Sequence, residues 1–141
     1  MNKFARYAAI LVGIIVIAAG GFVLFGTPAN QTADTGAAMV VVKMPSLSSK
    51  ATTGQERFAG NCALCHGVNA DGREGKGPPL IHKIYEPNHH GDASFYSAAL
   101  NGVRAHHWRF GNMPPVAGIK PEEVEYIITY VREVQRHTGI Q

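Results

Sequence analysis

The chain has 141 residues, a length that suggests one domain together with an additional segment. Its residues are 45% hydrophobic and 16% charged, which excludes a disordered or collagen-like protein. The formal net charge of +3 comes mainly from the N-terminal part, because residues 46–141 carry ten Lys and Arg against nine Asp and Glu. This near-neutral balance gives no indication of nucleic-acid binding.

The N-terminal segment, residues 1–26, is predicted to be a transmembrane signal anchor. Lys3 and Arg6 precede an uncharged apolar stretch at 7–25. The stretch is longer than the roughly 7–15 residues of a signal-peptide core and close to the roughly 20 of a membrane span. We therefore favour an uncleaved single-pass helix over a cleaved signal peptide. Because basic flanks stay in the cytoplasm, the rest of the chain is expected on the periplasmic side of the cytoplasmic membrane.

Residues 27–52 are predicted to be a flexible linker, because they are rich in Thr, Ala, Gly and Ser. Within them, the apolar stretch Met39–Met44 could be a short strand or a packing strip. Residues 53–141 are predicted to form an all-α domain, with about three short helices separated by long loops rich in Gly and Pro.

The first helix of this domain is predicted to begin near Thr53, which forms a capping-box pattern with Glu56. Phe58, Ala59 and Cys62 would then share one face of the helix. The domain contains little apolar sequence for independent stability, so a large buried cofactor is expected to complete its core.

Two further helices are predicted from amphipathic periodicity and terminal residues. The second covers residues 94–101, with Asp92 as a possible N-cap and Gly102 as a stop signal. The third begins at Pro121 and ends before Gly139. Its apolar positions follow the i, i+3, i+4, i+7 series: Val124, Ile127, Ile128 and Val131.

Both cysteines of the chain lie in one short box, Cys62-Ala-Leu-Cys65-His66. Such a box can be a redox dithiol, part of a zinc site, or the attachment site of a c-type haem. A dithiol oxidoreductase would need strands alternating with helices, and the sequence has no alternating strand pattern. A zinc site needs four ligands, and no second pair at zinc spacing is present. The haem interpretation accounts for the whole box, because both thiols would form thioethers and His66 would bind the iron.

A second axial ligand for the iron is predicted at Met113. It is the only methionine inside the predicted helical domain, and the two prolines after it stiffen its loop. The alternative is bis-His ligation, for which His106 and His107 are the nearest candidates.

We predict that Trp108 and Arg109 donate hydrogen bonds to the haem propionates, and the alternative for them is an exposed basic loop.

Several motifs occur together in one order and spacing: Gly54-x-x-x-Phe58, Cys62-Ala-Leu-Cys65-His66, Gly77-Pro78-Pro79-Leu80, Met113-Pro-Pro, and Tyr126 with Tyr130 in the last helix. With these motifs, residues 53–138 resemble a small class I cytochrome c of the bacterial, membrane-anchored, mono-haem kind. The resemblance implies the cytochrome c fold and one covalent haem c, attached through Cys62 and Cys65. It also implies that His66 and Met113 are the iron ligands and that the Pro78 carbonyl accepts a hydrogen bond from the proximal His.

The resemblance further implies an electron carrier rather than an enzyme. With both axial positions of the iron filled, there is no open site for a small-molecule substrate, and we identify no catalytic residues. We expect Fe(III)/Fe(II) cycling between redox protein partners of a respiratory chain that dock transiently. Two alternatives remain: a fixed electron-transfer subunit of a membrane or periplasmic oxidoreductase complex, and a haem-based ligand sensor if Met113 is not a stable ligand.

Overall fold

The computed structural model describes residues 36–141. The predicted anchor, residues 1–26, and the first part of the predicted linker lie outside the described residues. Across residues 36–141, no helix combines the length and apolar character that a bilayer crossing requires.

The described residues form an all-α structure without β-strands, which confirms the predicted fold class. It contains four α-helices and one 3-10 helix: α1 (Ser49–Asn61), α2 (Ala63–His66), the 3-10 helix (Lys83–Tyr85), α3 (Asp92–Asn101) and α4 (Pro121–His137). Helix α2 is the additional element, and it consists of the last residues of the cysteine box. The long loops between these helices carry two isolated antiparallel bridges, Arg73 with Gly77 and Val103 with Met113.

Helices α1 and α4 cross at close range and form the centre of the hydrophobic core. At the crossing, a Cβ atom on Gly54 would lie 2.0 Å from the carbonyl oxygen of Tyr126, so a side chain at this position would clash with the α4 backbone. Phe58 is fully buried, and its ring centroid lies 5.4 Å from that of Tyr130. Phe58 on α1 and Tyr130 on α4 therefore pack against each other.

The start of α1 differs from the predicted capping box. The helix begins directly after Ser48, whose Oγ accepts a hydrogen bond from the Ala51 N–H at 3.3 Å. Thr53 and Glu56 therefore lie inside the helix, because a cap is already present one turn earlier. Ala59, which was predicted to share the buried face, is exposed. The buried face consists of Ala51, Gly54 and Phe58.

The described part of the predicted linker packs against the folded domain instead of remaining separate. The Met39 N–H donates to the Asp71 carbonyl at 3.1 Å, and the Glu74 N–H donates to the Ala37 carbonyl at 2.9 Å. Three further side chains lie against the hydrophobic core: Val42, Met44 and Leu47. The folded unit therefore starts before its predicted boundary, and residues 36–52 belong to it.

A buried polar network connects α4 to the loop that precedes α3. Arg132 is only 6% exposed, and it donates to the Asp92 carboxylate at 2.8 Å and to the carbonyls of Tyr85 and His90 at 2.7 and 2.5 Å. Gln135 accepts from Arg132 at 2.7 Å and donates to the Tyr85 carbonyl at 3.1 Å. Asp92 was predicted to cap α3, but the helix begins at this residue and its carboxylate contacts Arg132. The network fixes the loop that carries His90.

Candidate functional site

The cysteine box follows α1 directly, and its last four residues form the short helix α2. Both thiols are free; Cys62 is half-buried and Cys65 is exposed. The N–H groups of Cys65 and His66 donate to the Cys62 carbonyl at 3.1 and 3.0 Å, which closes the turn. Burial raises the pKa of the Cys62 thiol to about 11, and the neighbouring Cys65 adds to the shift.

The imidazole of His66 is oriented by the backbone of Pro78. Its Nδ1 lies 2.9 Å from the Pro78 carbonyl oxygen. Because a carbonyl can only accept, Nδ1 carries the proton and Nε2 keeps its lone pair. Burial lowers the pKa of His66, and the hydrogen bond to Pro78 opposes the shift. The ring is therefore held in the tautomer that binds a metal through Nε2.

The glycine of the Gly-Pro motif allows its loop to lie against the cysteine box. A Cβ atom on Gly77 would lie 2.8 Å from the carbonyl oxygen of Cys65. Gly77 forms an antiparallel bridge with Arg73, with N–O distances of 2.9 and 3.0 Å. The Arg73 guanidinium in turn donates to the Leu64 carbonyl at 2.9 Å. These contacts place the carbonyl of the next residue, Pro78, beside His66.

The loop that carries Met113 is attached to the C-terminal end of α3. Met113 and Val103 exchange two backbone hydrogen bonds of 2.9 Å, and the Val116 N–H donates to the Ala99 carbonyl at 2.9 Å. Gly102 ends α3 with φ 76° and ψ 179°. A Cβ atom on Gly102 would lie 2.5 Å from the Met113 carbonyl oxygen. The glycine stop signal therefore also permits the close approach of the Met113 loop.

One cavity of about 610 Å³ brings together most of the predicted site residues: Cys62, His66, Pro78, Trp108 and Met113. Cavities of about 300–1,000 Å³ are typical of cofactor sites. Cys65 and Arg109 are exposed and do not line the cavity. Cys65 nevertheless belongs to the same turn as Cys62. The predicted contact of Arg109 with a haem propionate stays a prediction.

The chemistry of the cavity wall fits a haem. Its apolar part is formed by residues of α3, α4 and the loop between them: Phe95, Ala99, Val116, Ile119, Val124 and Ile127. The buried indole N–H of Trp108 has no hydrogen-bond partner of standard geometry among residues 36–141. Burial raises the pKa of Tyr85, and the Trp108 side chain opposes the shift. A haem would match an apolar wall, an available donor for an acidic propionate, two thiols and a free imidazole nitrogen.

Sequence reasoning missed the clustering of the histidines. Ring centroids of His89, His90, His106 and His107 lie between 4.3 and 6.0 Å from their neighbours in the cluster. All of these except His89 also line the cavity. The sequence contains two His-His pairs, His89-His90 and His106-His107, which could have drawn attention to a cluster. Nothing in the local sequence, however, indicates that the two pairs lie close together in the fold.

These features together define a small all-α domain built to hold a covalent haem. The sequence model of the cytochrome c family matches residues 51–135, which is more than half of the chain, and the protein belongs to this family. No curated protein and no solved structure matches the chain. Membership means that the protein is a c-type cytochrome of electron transfer, carries covalently bound haem c at the Cys62/Cys65 box, and has redox proteins as partners.

Proposed function

We propose that this cytochrome carries single electrons with His66 and Met113 as the axial ligands of its iron, and that it is not an enzyme. The observation that carries the proposal is that the free Nε2 of His66 and the side chain of Met113 belong to the same cavity. When bound, haem c supplies the one-electron Fe(III)/Fe(II) couple. A thioether from Met113 raises the reduction potential and occupies the position that a substrate or gas would need.

Residues of the cavity wall support this role in two ways. The apolar side chains of α3 and α4 exclude water from the site, which tunes the reduction potential. The Trp108 N–H, which is buried and available, would donate a hydrogen bond to a propionate. Arg109 would add a second donor from the protein surface.

Exposed apolar residues beside the cysteine box suggest where redox partners dock. Leu64 is 76% exposed and directly precedes the exposed Cys65, and Val68, three residues after Cys65, is 69% exposed. A small apolar patch of this kind suits the brief encounters of electron carriers. We propose that the partners belong to a respiratory chain and that residues 1–26 anchor the domain on the periplasmic side of the cytoplasmic membrane. The uncharged stretch at 7–25 supports the anchor.

The absorption spectra of the oxidised and reduced holoprotein test the ligand assignment. Wild-type protein should show the weak long-wavelength band of a thioether bound to ferric iron, and its reduced form should not bind carbon monoxide. Met113→Leu should lose the band and bind carbon monoxide, because leucine keeps the volume but offers no ligand. Met44→Leu is the matched control, since Met44 packs against the core and does not line the cavity. It should keep the wild-type spectrum.

A wild-type spectrum without the thioether band would overturn the ligand assignment. If that protein also fails to bind carbon monoxide, bis-His ligation replaces the His66/Met113 assignment, because His106 and His107 line the cavity. If it binds carbon monoxide, a ligand-sensing role replaces electron transfer. Copurification of stoichiometric partner subunits would instead identify a fixed subunit of an oxidoreductase complex.

A further inference from the structure

Histidine nitrogens from two separate segments converge beside the cavity. The Nε2 atoms of His89 and His107 lie 3.2 Å apart. One ring nitrogen from each of His89, His90 and His107 belongs to a set in which every pair of nitrogens is within 4.8 Å. Two nitrogens bound to one tetrahedral ion at about 2.0–2.1 Å would be about 3.3 Å apart. The separation of His89 and His107 already has this value.

The hydrogen bond between the Nε2 atoms of His89 and His107 places a proton on one of them, and a metal ion that binds both nitrogens must displace this proton. The hydrogen bond of His90 leaves its Nε2 lone pair free. His90 Nδ1 lies 2.6 Å from the Ile84 carbonyl oxygen, so Nδ1 donates and Nε2 is unprotonated. Metal-binding histidines typically have their second nitrogen held in this way. His106 is arranged similarly, with Nδ1 lying 2.8 Å from the Arg104 carbonyl oxygen. Its ring centroid lies 4.3 Å from that of His107, so His106 borders the three-histidine set.

The backbone under the cluster is held in place by the fold. The N–H groups of His89 and His90 both donate to the Glu86 carbonyl, at 3.0 and 2.8 Å. The His90 carbonyl accepts from the buried Arg132. His106 and His107 belong to the other segment. They lie in a loop that is closed by the bridge between residues 103 and 113. The rings are therefore brought together by tertiary contacts and not by a single flexible loop.

The mutual placement of the rings favours the neutral form of His107. Desolvation lowers the pKa of His107, and the charges of His106, His90 and His89 lower it further. A neutral imidazole is the form that binds metal ions.

We propose that His89, His90 and His107 form a binding site for a divalent first-row transition-metal ion, separate from the haem iron. A water molecule completes the tetrahedral coordination. An all-imidazole site suits Zn²⁺ and Cu²⁺, with Cu²⁺ the tighter, and does not suit Mg²⁺ or Ca²⁺, which take oxygen ligands.

Calorimetric titration of the holoprotein with Zn²⁺ tests the site. His89→Gln is the informative variant, because His89 is exposed and does not line the cavity, so the haem site should be unaffected. His137→Gln is the matched control, since His137 is an exposed histidine at the end of α4. Wild-type and His137→Gln proteins should bind one Zn²⁺ per chain with equal affinity. His89→Gln should bind at least about tenfold more weakly.

Two further measurements sharpen the test. Mg²⁺ should give no binding heat, and Cu²⁺ should bind more tightly than Zn²⁺. His107→Gln should also weaken Zn²⁺ binding, because its Nε2 lies 3.2 Å from that of His89, and an unchanged Zn²⁺ affinity in this variant would overturn the proposal. The absence of saturable one-to-one binding to wild-type protein, or equal affinities in wild type and His89→Gln, would also overturn it.

Discussion

Replacing Gly102 by alanine is expected to detach the Met113 loop from α3. Gly102 has φ 76° and ψ 179°, a backbone conformation that is essentially restricted to glycine. The new Cβ atom would lie 2.5 Å from the Met113 carbonyl oxygen and 3.0 Å from the Pro115 ring. These are backbone and proline atoms that cannot rotate away. The paired hydrogen bonds between Val103 and Met113 must therefore lengthen or break.

The size of the effect can be separated into two contributions. The backbone strain costs about 1–3 kcal/mol, and overpacking costs about 1–3 kcal/mol in addition. Gly118→Ala is the matched control, because Gly118 also has φ 76° but no atom lies within 4 Å of its hypothetical Cβ. Gly102→Ala should therefore lose about 1–3 kcal/mol more than Gly118→Ala. This is a large part of a typical stability of about 5–15 kcal/mol.

Urea unfolding of the two holoprotein variants measures this difference. The thioether band of ferric iron provides a second observable, which should weaken in Gly102→Ala and persist in Gly118→Ala. Equal free energies of unfolding for the two variants would refute the reasoning, because they would show that the contact with the Met113 carbonyl does not require glycine. A lower stability of Gly118→Ala would refute it equally.

The remaining predictions concern the core, the buried network and acid stability. Phe58→Ala should lower the free energy of unfolding by about 3–5 kcal/mol, because the ring is fully buried; Phe58→Leu should lose less. Arg132→Met should lose at least about 1–3 kcal/mol, since it leaves carbonyl acceptors unpaired. Two hydrogen bonds from Ser48, both 2.7 Å, lower the pKa of Glu133 below 4.5. Glu133 therefore stabilises the fold above this pH, and Glu133→Gln should reduce the loss of stability between about pH 5 and pH 3.

Urea unfolding checks all of these predictions, with the pH varied for Glu133. If Phe58→Ala lowers the free energy of unfolding no more than Phe58→Leu does, the result would contradict tight packing of Phe58 against Tyr130. If Arg132→Met leaves the free energy of unfolding unchanged, the network adds no net stability. An unchanged acid dependence in Glu133→Gln would show that Ser48 does not perturb this carboxyl group.

The helices were predictable where their signals are local. Helix α4 begins at Pro121 as predicted and ends at His137, just before the Gly139 signal. The start of α1 was not predictable, because Ser48 and Thr53 offer competing caps five residues apart. Tertiary contacts favour the earlier cap, since Ser48 also binds the carboxylate of Glu133 on α4. A long-range partner therefore decided a local boundary.

The sequence alone determined the covalent chemistry of this protein. Cys62, Cys65 and His66 are adjacent in the chain, so connectivity is sufficient to bring two thiols and an imidazole to one turn. Only the tertiary structure decided which distant residues share the site. The backbone pairing of Met113 and the 3.2 Å approach of His89 to His107 depend on how the loops close around the cavity. Such contacts have no local periodicity or spacing from which they could be predicted.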